Sequence, residues 1–110
     1  KRRIQALGGP SQTGEVRWNK TVVAYCQEIA KTFGITGNVN IQMRYSSEPN
    51  GAPLVYEINP RLAGTIAATA ACGTNLLEHG LRQSLRPEQL YLSPPKEMKF
   101  LRYFNELYYL

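Results

Sequence analysis

Between residues 20 and 33 the apolar positions recur with a helical period. Val22, Cys26, Ile29 and Phe33 fall at i, i+4, i+7 and i+11, the single stripe of an amphipathic helix. Asn19 is placed to cap its start and Gly34 to close its end, and the stripe is expected to pack into the core. The period then changes. Val39, Ile41, Met43 and Tyr45 alternate with Asn40, Gln42 and Arg44, which predicts a strand over 38–45 with one apolar and one polar face. Residues 46–53, SSEPNGAP, carry a Pro-Asn-Gly turn signal. A second strand follows over 54–59, with Leu54, Tyr56 and Ile58 on one face and Val55, Glu57 and Asn59 on the other. Pro60 ends it, because proline cannot donate to the ladder.

Beyond the loop at 61–64, the small apolar run 65–72 (TIAATAAC) predicts a tightly packed helix that Gly73 stops. Thr74 is expected to cap a further helix through about residue 84. Leu76, Leu77, Leu81 and Leu85 supply its apolar contacts, and Gly80 weakens its middle. MKFLRYF at 98–104 reads as a last strand, and GGPSQTG at 8–14 reads as a loop. The fold expected is α+β: a mostly antiparallel sheet from 38–45, 54–59 and 98–104, with helices packed on one face.

Hairpin register decides which polar groups meet. A turn centred between Pro49 and Asn50 sets Gln42 opposite Glu57. A turn centred one residue later sets Gln42 opposite Asn59 and Arg44 opposite Glu57. In either case Gln42, Arg44, Glu57 and Asn59 share one face, with opposed Cβ atoms about 5 Å apart.

Composition narrows the chemistry. The chain has 110 residues, enough for one small domain or part of one. Its first residue is Lys with no apolar leader after it, so a piece of a longer protein is expected. All eight acidic residues are glutamates, which excludes a Ser-His-Asp triad, an EF-hand loop and an aspartic dyad within the chain. Two cysteines cannot make a disulfide scaffold or a zinc cage, and they suit a reducing, cytoplasmic setting. No apolar run approaches a membrane span, so no membrane partner is expected. The net charge of +5 gathers at the ends, with Lys1, Arg2, Arg3, Arg17 and Lys20 set against Glu15 alone in the first twenty residues. Such ends attract polyphosphate, though a solvated terminus explains Lys1–Arg3 as well. His79, Cys72 and Trp18 read as packing or surface residues.

The candidate chemistry lies in Glu57-Ile58-Asn59-Pro60-Arg61. A carboxylate and an amide carbonyl two residues apart on a strand point the same way. Both are hard oxygen donors suited to Mg²⁺ or Mn²⁺, and Gln42 adds a third oxygen. Arg61, just past the strand end, can fork onto a phosphate or carboxylate. From spacing alone, a cross-strand Arg44–Glu57 pair on a solvated face, with Gln42 and Asn59 as polar filler, accounts for these residues better.

The ordered set weighs differently. GNVNIQ at 37–42 and VYEINPR at 55–61, followed by the small-residue helix and Gly73-Thr74-Asn75-Leu76, resemble the C-terminal lobe of ATP-grasp enzymes. The nearest likeness is to the carbamoyl-phosphate synthase large subunit and related carboxylate–amine ligases. The resemblance implies that Gln42, Glu57 and Asn59 hold the metals that bridge ATP phosphates. It implies that Asn59 and Arg61 contact the cofactor, and that Arg61 acts catalytically near the transferred phosphoryl group. Expected ligands are Mg²⁺ or Mn²⁺, ATP and a small carboxylate or bicarbonate, activated as an acyl phosphate for attack by an amine or thiol. The N-terminal lobe of such a unit supplies a glycine-rich loop, a phosphate lysine and an adenine pocket. Nothing in 1–110 matches these, so the chain is expected to be one partial domain that does not hydrolyse ATP by itself. Two other readings stand beside this one. One is a non-catalytic interaction or homo-oligomerisation domain of the same fold. The other is a basic nucleic-acid-binding module, which has no RNP, KH or helix-turn-helix motif to support it.

Overall fold

The computed structural model describes residues 2–6, 11–47, 51–86, 93–103 and 105–110. In chain order these form β1 (Arg2–Ala6), β2 (Ser11–Val16), α1 (Lys20–Thr32), β3 (Asn40–Tyr45), β4 (Pro53–Asn59), α2 (Ile66–Ala71), α3 (Leu76–Leu85) and β5 (Met98–Leu101). The fold is α+β, and its strand pairs are antiparallel.

The strands do not form the single sheet expected. β1, β2 and β5 make a three-stranded sheet with β2 in the centre, and β3 pairs only with β4. β5 is set against β2, with Gly14 opposite Phe100 and Glu15 opposite Lys99. Residues 11–14 are therefore strand, not loop, while 8–10 lie outside the described residues. Ser-Gln-Thr-Gly has neither β-branched density nor period-two hydrophobicity, so its local signal is a turn. Pairing on both edges of β2 overrides that signal.

Helix ends follow local chemistry closely. The Asn19 Oδ1 accepts the Val22 N–H at 3.1 Å and starts α1. Gly34 ends it at φ +60°, with Ile35 N–H on Ala30 C=O at 2.8 Å and Gly34 N–H on Lys31 C=O at 3.3 Å. That pair of bonds is a Schellman motif. Phe33 is the C-cap residue and is 71% exposed, so it leaves the stripe expected to be core. Only Ile29 of the four is buried.

The same motif closes α2. Gly73 sits at φ +90°, Thr74 N–H reaches Thr69 C=O at 3.0 Å and Gly73 N–H reaches Ala70 C=O at 2.9 Å. Thr74 is thus committed to the end of α2, and the cap of α3 moves one residue on. Asn75 takes it, its Oδ1 accepting Glu78 N–H at 3.2 Å. This corrects the expectation for Thr74.

Among the described residues Val16, Ile29 and Cys72 are the buried core hydrophobics, Cys72 the most enclosed, and Pro53 at the start of β4 is buried as well. Ser11, Glu15 and Thr65 are buried polar residues, and the Glu15 carboxylate lies 3.0 Å from the Arg17 guanidinium.

Candidate functional site on the polar face of the hairpin

The β3–β4 hairpin begins in the first of the two registers. Asn40 faces Asn59, Ile41 faces Ile58, and Gln42 faces Glu57. The register then shifts by one, so that Met43 faces Val55, Arg44 faces Leu54 and Tyr45 faces Pro53. Tyr56 is the additional residue on β4, a β-bulge between Gln42 and Met43.

The bulge changes the membership of the polar face. Alternation places Tyr56 with Leu54 and Ile58. In the structure its hydroxyl donates to Gln42 Oε1 at 3.2 Å, and the Arg44 guanidinium carbon lies 5.2 Å from its ring centroid. Arg44 therefore stacks on a tyrosine in a cation–π contact and stands opposite Leu54, not Glu57. The cross-strand Arg44–Glu57 arrangement belongs to the register that does not form.

Glu57 and Asn59 point the same way along β4, and Asn59 Nδ2 donates to Glu57 Oε1 at 2.6 Å. This bond uses the donor end of the asparagine and leaves its carbonyl oxygen for another contact. Glu57 is exposed, while Gln42 and Asn59 are half-buried. Just after the strand, Arg61 N–H returns to Asn59 C=O at 2.8 Å, so the chain turns sharply through Pro60. The Arg61 side chain folds onto its own loop, with one N–H on Leu62 C=O at 3.2 Å.

The hairpin thus brings together Gln42, Glu57 and Asn59. Arg61 stands on the adjoining loop with most of its five donors outside that bond. Among the described residues no three His, Cys, Asp or Glu side chains cluster. The donor set on this face is one carboxylate with two amide carbonyls.

The loop that carries Arg61 is tied to the other sheet. Arg102, just past β5, bonds through its backbone N–H to Gln12 C=O at 2.7 Å and through its guanidinium to Gly64 C=O at 3.0 Å. A shallow groove of about 300 Å³ lies beside it, lined by Thr65, Ala68, Phe100, Arg102 and Tyr103. At the start of α1, Asn19 Nδ2 donates to the Tyr45 hydroxyl at 3.2 Å and joins the helix to β3. Both cysteines are free thiols, and burial pushes the Cys26 thiol up. Neither thiol touches the hairpin face in any bond described.

Sequence reasoning missed Tyr56, because no periodicity marks a bulge. It also missed the buried Glu15, which lies in a strand read partly as loop.

A family model described as "ATP-grasp in the biosynthetic pathway with Ter operon" matches residues 2–106. The chain belongs to the ATP-grasp family. No curated protein and no solved structure matches it. The ATP-grasp assignment makes this an ATP-dependent, ligase-type domain, and members of the family generally bind ATP with Mg²⁺ or Mn²⁺. No helix among the described residues is long and apolar enough to cross a membrane.

Proposed function

We propose that this ATP-grasp chain is the metal- and phosphate-binding lobe of a ligase that activates a small carboxylate or bicarbonate as an acyl phosphate, as carbamoyl-phosphate synthase does. The observation that carries the reading is the Gln42–Glu57 register together with the Asn59–Glu57 bond. These set three hard oxygen donors on one face, next to the loop bearing Arg61.

The donor set fits a divalent cation of the Mg²⁺ class. Such ions take a few protein oxygens and fill the remaining positions with water and substrate phosphate. Glu57, Asn59 and Gln42 would hold it. When bound, the metal neutralises charge on the phosphates and lowers the barrier to phosphoryl transfer. The chain's own residues do the positioning. Asn59 restrains the Glu57 carboxylate through its amide N–H. Arg61, anchored by one N–H, has donors left to fork onto a phosphoryl or acyl-phosphate oxygen. With a single carboxylate on the face, Mg²⁺ alone should bind weakly and the Mg²⁺–ATP complex much better.

The domain organisation belongs to the same proposal. The glycine-rich loop, phosphate lysine and adenine pocket come from a separate N-terminal lobe, and this chain alone does not turn over ATP. Two free cysteines support a reducing, cytoplasmic setting.

The test is calorimetric titration of Mg²⁺–ATP into the full-length protein, beside a Glu57→Ala, Asn59→Ala double variant. Metal-dependent binding that the double variant loses is the expected result. Well-folded wild-type protein that takes up no Mg²⁺–ATP would leave the motif as a structural relic. An interaction or homo-oligomerisation domain would then be the better reading, which the exposed leucines of α3 already favour as a second role.

A further inference from the structure

We propose that the groove between α2 and the end of β5 binds a small monocarboxylic acid with an apolar body, its carboxylate held by Arg102. The inference deepens the ligase reading and rests on it: such an acid, not bicarbonate, is what the enzyme activates.

Arg102 supplies the charge. Its backbone N–H donates to Gln12 C=O at 2.7 Å, which holds the residue against β2 just past the end of β5. Its guanidinium makes one bond, to Gly64 C=O at 3.0 Å, and has four N–H donors left. Among the described residues no carboxylate is paired with it, whereas Arg17 and Arg82 are matched with glutamates at 3.0 Å and 2.8 Å. Arg102 is also half-buried, so part of its hydration is already lost. A guanidinium in that state gains from an anion that presents two oxygens to its fork.

The walls supply the rest of the selectivity. Ala67 and Ala68 come from α2, and Phe100, Leu101 and Tyr103 come from β5 and the stretch after it. Among the described residues that line the groove, Arg102 carries the only charge. A single cation beside methyl groups and rings suits an organic acid, whose chain or ring is buried while its carboxylate is bound. The same walls offer bicarbonate nothing, and about 300 Å³ is far more than that ion fills. The groove also adjoins the hairpin's loop. Thr65 in its wall directly follows residues 61–64, Arg61 donates to Leu62 C=O, and Arg102 donates to Gly64 C=O. The Cα atoms of residues 62 and 64 are at most about 7.6 Å apart along the chain. Both guanidinium groups are thus moored to one short stretch of backbone. Arg61 is the one assigned above to phosphate, which leaves Arg102 for the acid.

The test is ligand-observed nuclear magnetic resonance on the full-length protein, with hexanoate, hexanamide and bicarbonate as probes. Hexanamide has the size and chain of hexanoate without its charge. Hexanoate should bind with a Kd on the order of 1 mM. Hexanamide should bind at least about tenfold more weakly, because the contact it lacks is charge-assisted. Bicarbonate in excess should not displace hexanoate. Arg102→Gln should weaken hexanoate about tenfold. Ala67→Leu, at an exposed position of α2, keeps Arg102 and narrows the groove, so it should weaken both hexanoate and hexanamide. Equal binding of hexanoate and hexanamide overturns the proposal, and so does displacement by bicarbonate or full hexanoate affinity in either variant. Where Arg102→Gln fails to fold, Ala67→Leu and the hexanamide comparison decide the matter. Titration of Mg²⁺–ATP into the same wild-type protein keeps the two readings apart. Mg²⁺–ATP uptake with no hexanoate binding leaves the metal lobe standing and overturns the groove. Arg102-dependent hexanoate binding with no Mg²⁺–ATP uptake means that the metal-lobe reading has failed, and the acid's role as a ligase substrate falls with it.

Discussion

Asn75 and Thr74 show how far single residues can be read from sequence and where the reading stops. Both are good cap residues, and Thr74 follows Gly73 directly. A sequence shows the propensity of each but not which backbone groups are already taken. The Schellman motif of α2 uses the Thr74 N–H, so the cap of α3 falls on Asn75. Asn19 and Gly34 were legible because nothing competes for them. Asn75→Ala should therefore cost about 1 kcal/mol in urea unfolding. Thr74→Ala, whose contribution to the motif is a backbone N–H that alanine keeps, should stay within about 0.5 kcal/mol. Equal losses at the two positions would show that the Thr74 hydroxyl also caps. At the candidate site the same distinction holds. Gln42, Glu57 and Asn59 were legible from alternation, since period two fixes the face. Tyr56 was not, because one inserted residue reverses the face and leaves no trace in composition.

At the scale of elements, the helices and the hairpin form where their periodicities place them, broken locally by the bulge at Tyr56 and by the exposed Phe33, while β2 departs altogether. Its sequence has no strand pattern, and its partners β1 and β5 lie on either side of it in space, with β5 more than eighty residues away in the chain. Long-range pairing of this kind is invisible to a local window. Gly80 is a second case where an element answers to its neighbour. Read alone, a glycine in mid-helix weakens α3 by about 1 kcal/mol relative to alanine. In the fold, Asn38 leans on the helix at this point and donates to Leu76 C=O at 3.2 Å. A Cβ on Gly80 would fall on the Asn38 amide nitrogen. Gly80→Ala should then bring no stabilisation, because the gain in helix propensity is offset by displacing Asn38. In an Asn38→Ala background the same substitution should stabilise by about 1 kcal/mol. Chemical denaturation of the four proteins in the cycle measures the coupling. A full gain in the wild-type background would mean that Asn38 moves aside freely.

At the scale of the whole molecule, the chain exposes more surface than its size requires. A compact monomer of 12.4 kDa has about 6,100 Å² of accessible surface, and this one has 9107 Å². The exposed 105–110 tail and open apolar faces both contribute to the difference. Leu77, Leu81 and Leu85 recur at i, i+4 and i+8 on α3 and are 54%, 58% and 81% exposed. A leucine stripe at helical spacing is the signature of a face that packs against something. The pattern was legible as amphipathicity, and the sequence-level expectation that all these leucines find apolar contacts is not met within the chain. In water such a stripe favours association, because each buried leucine contributes on the order of 1.5–3 kcal/mol. The 110-residue chain by itself should therefore sediment with a concentration-dependent average mass. Leu77→Glu combined with Leu81→Glu should return it to a monomer. The same pair should shift the unfolding midpoint little, because solvent-exposed positions away from the core rarely change stability by more than about 0.5 kcal/mol. If association persists in the double variant, the hairpin's Leu54–Ile58 face, also exposed, is the one that self-associates. A wild-type chain that stays monomeric at every concentration would mean that the stripe is solvated without consequence.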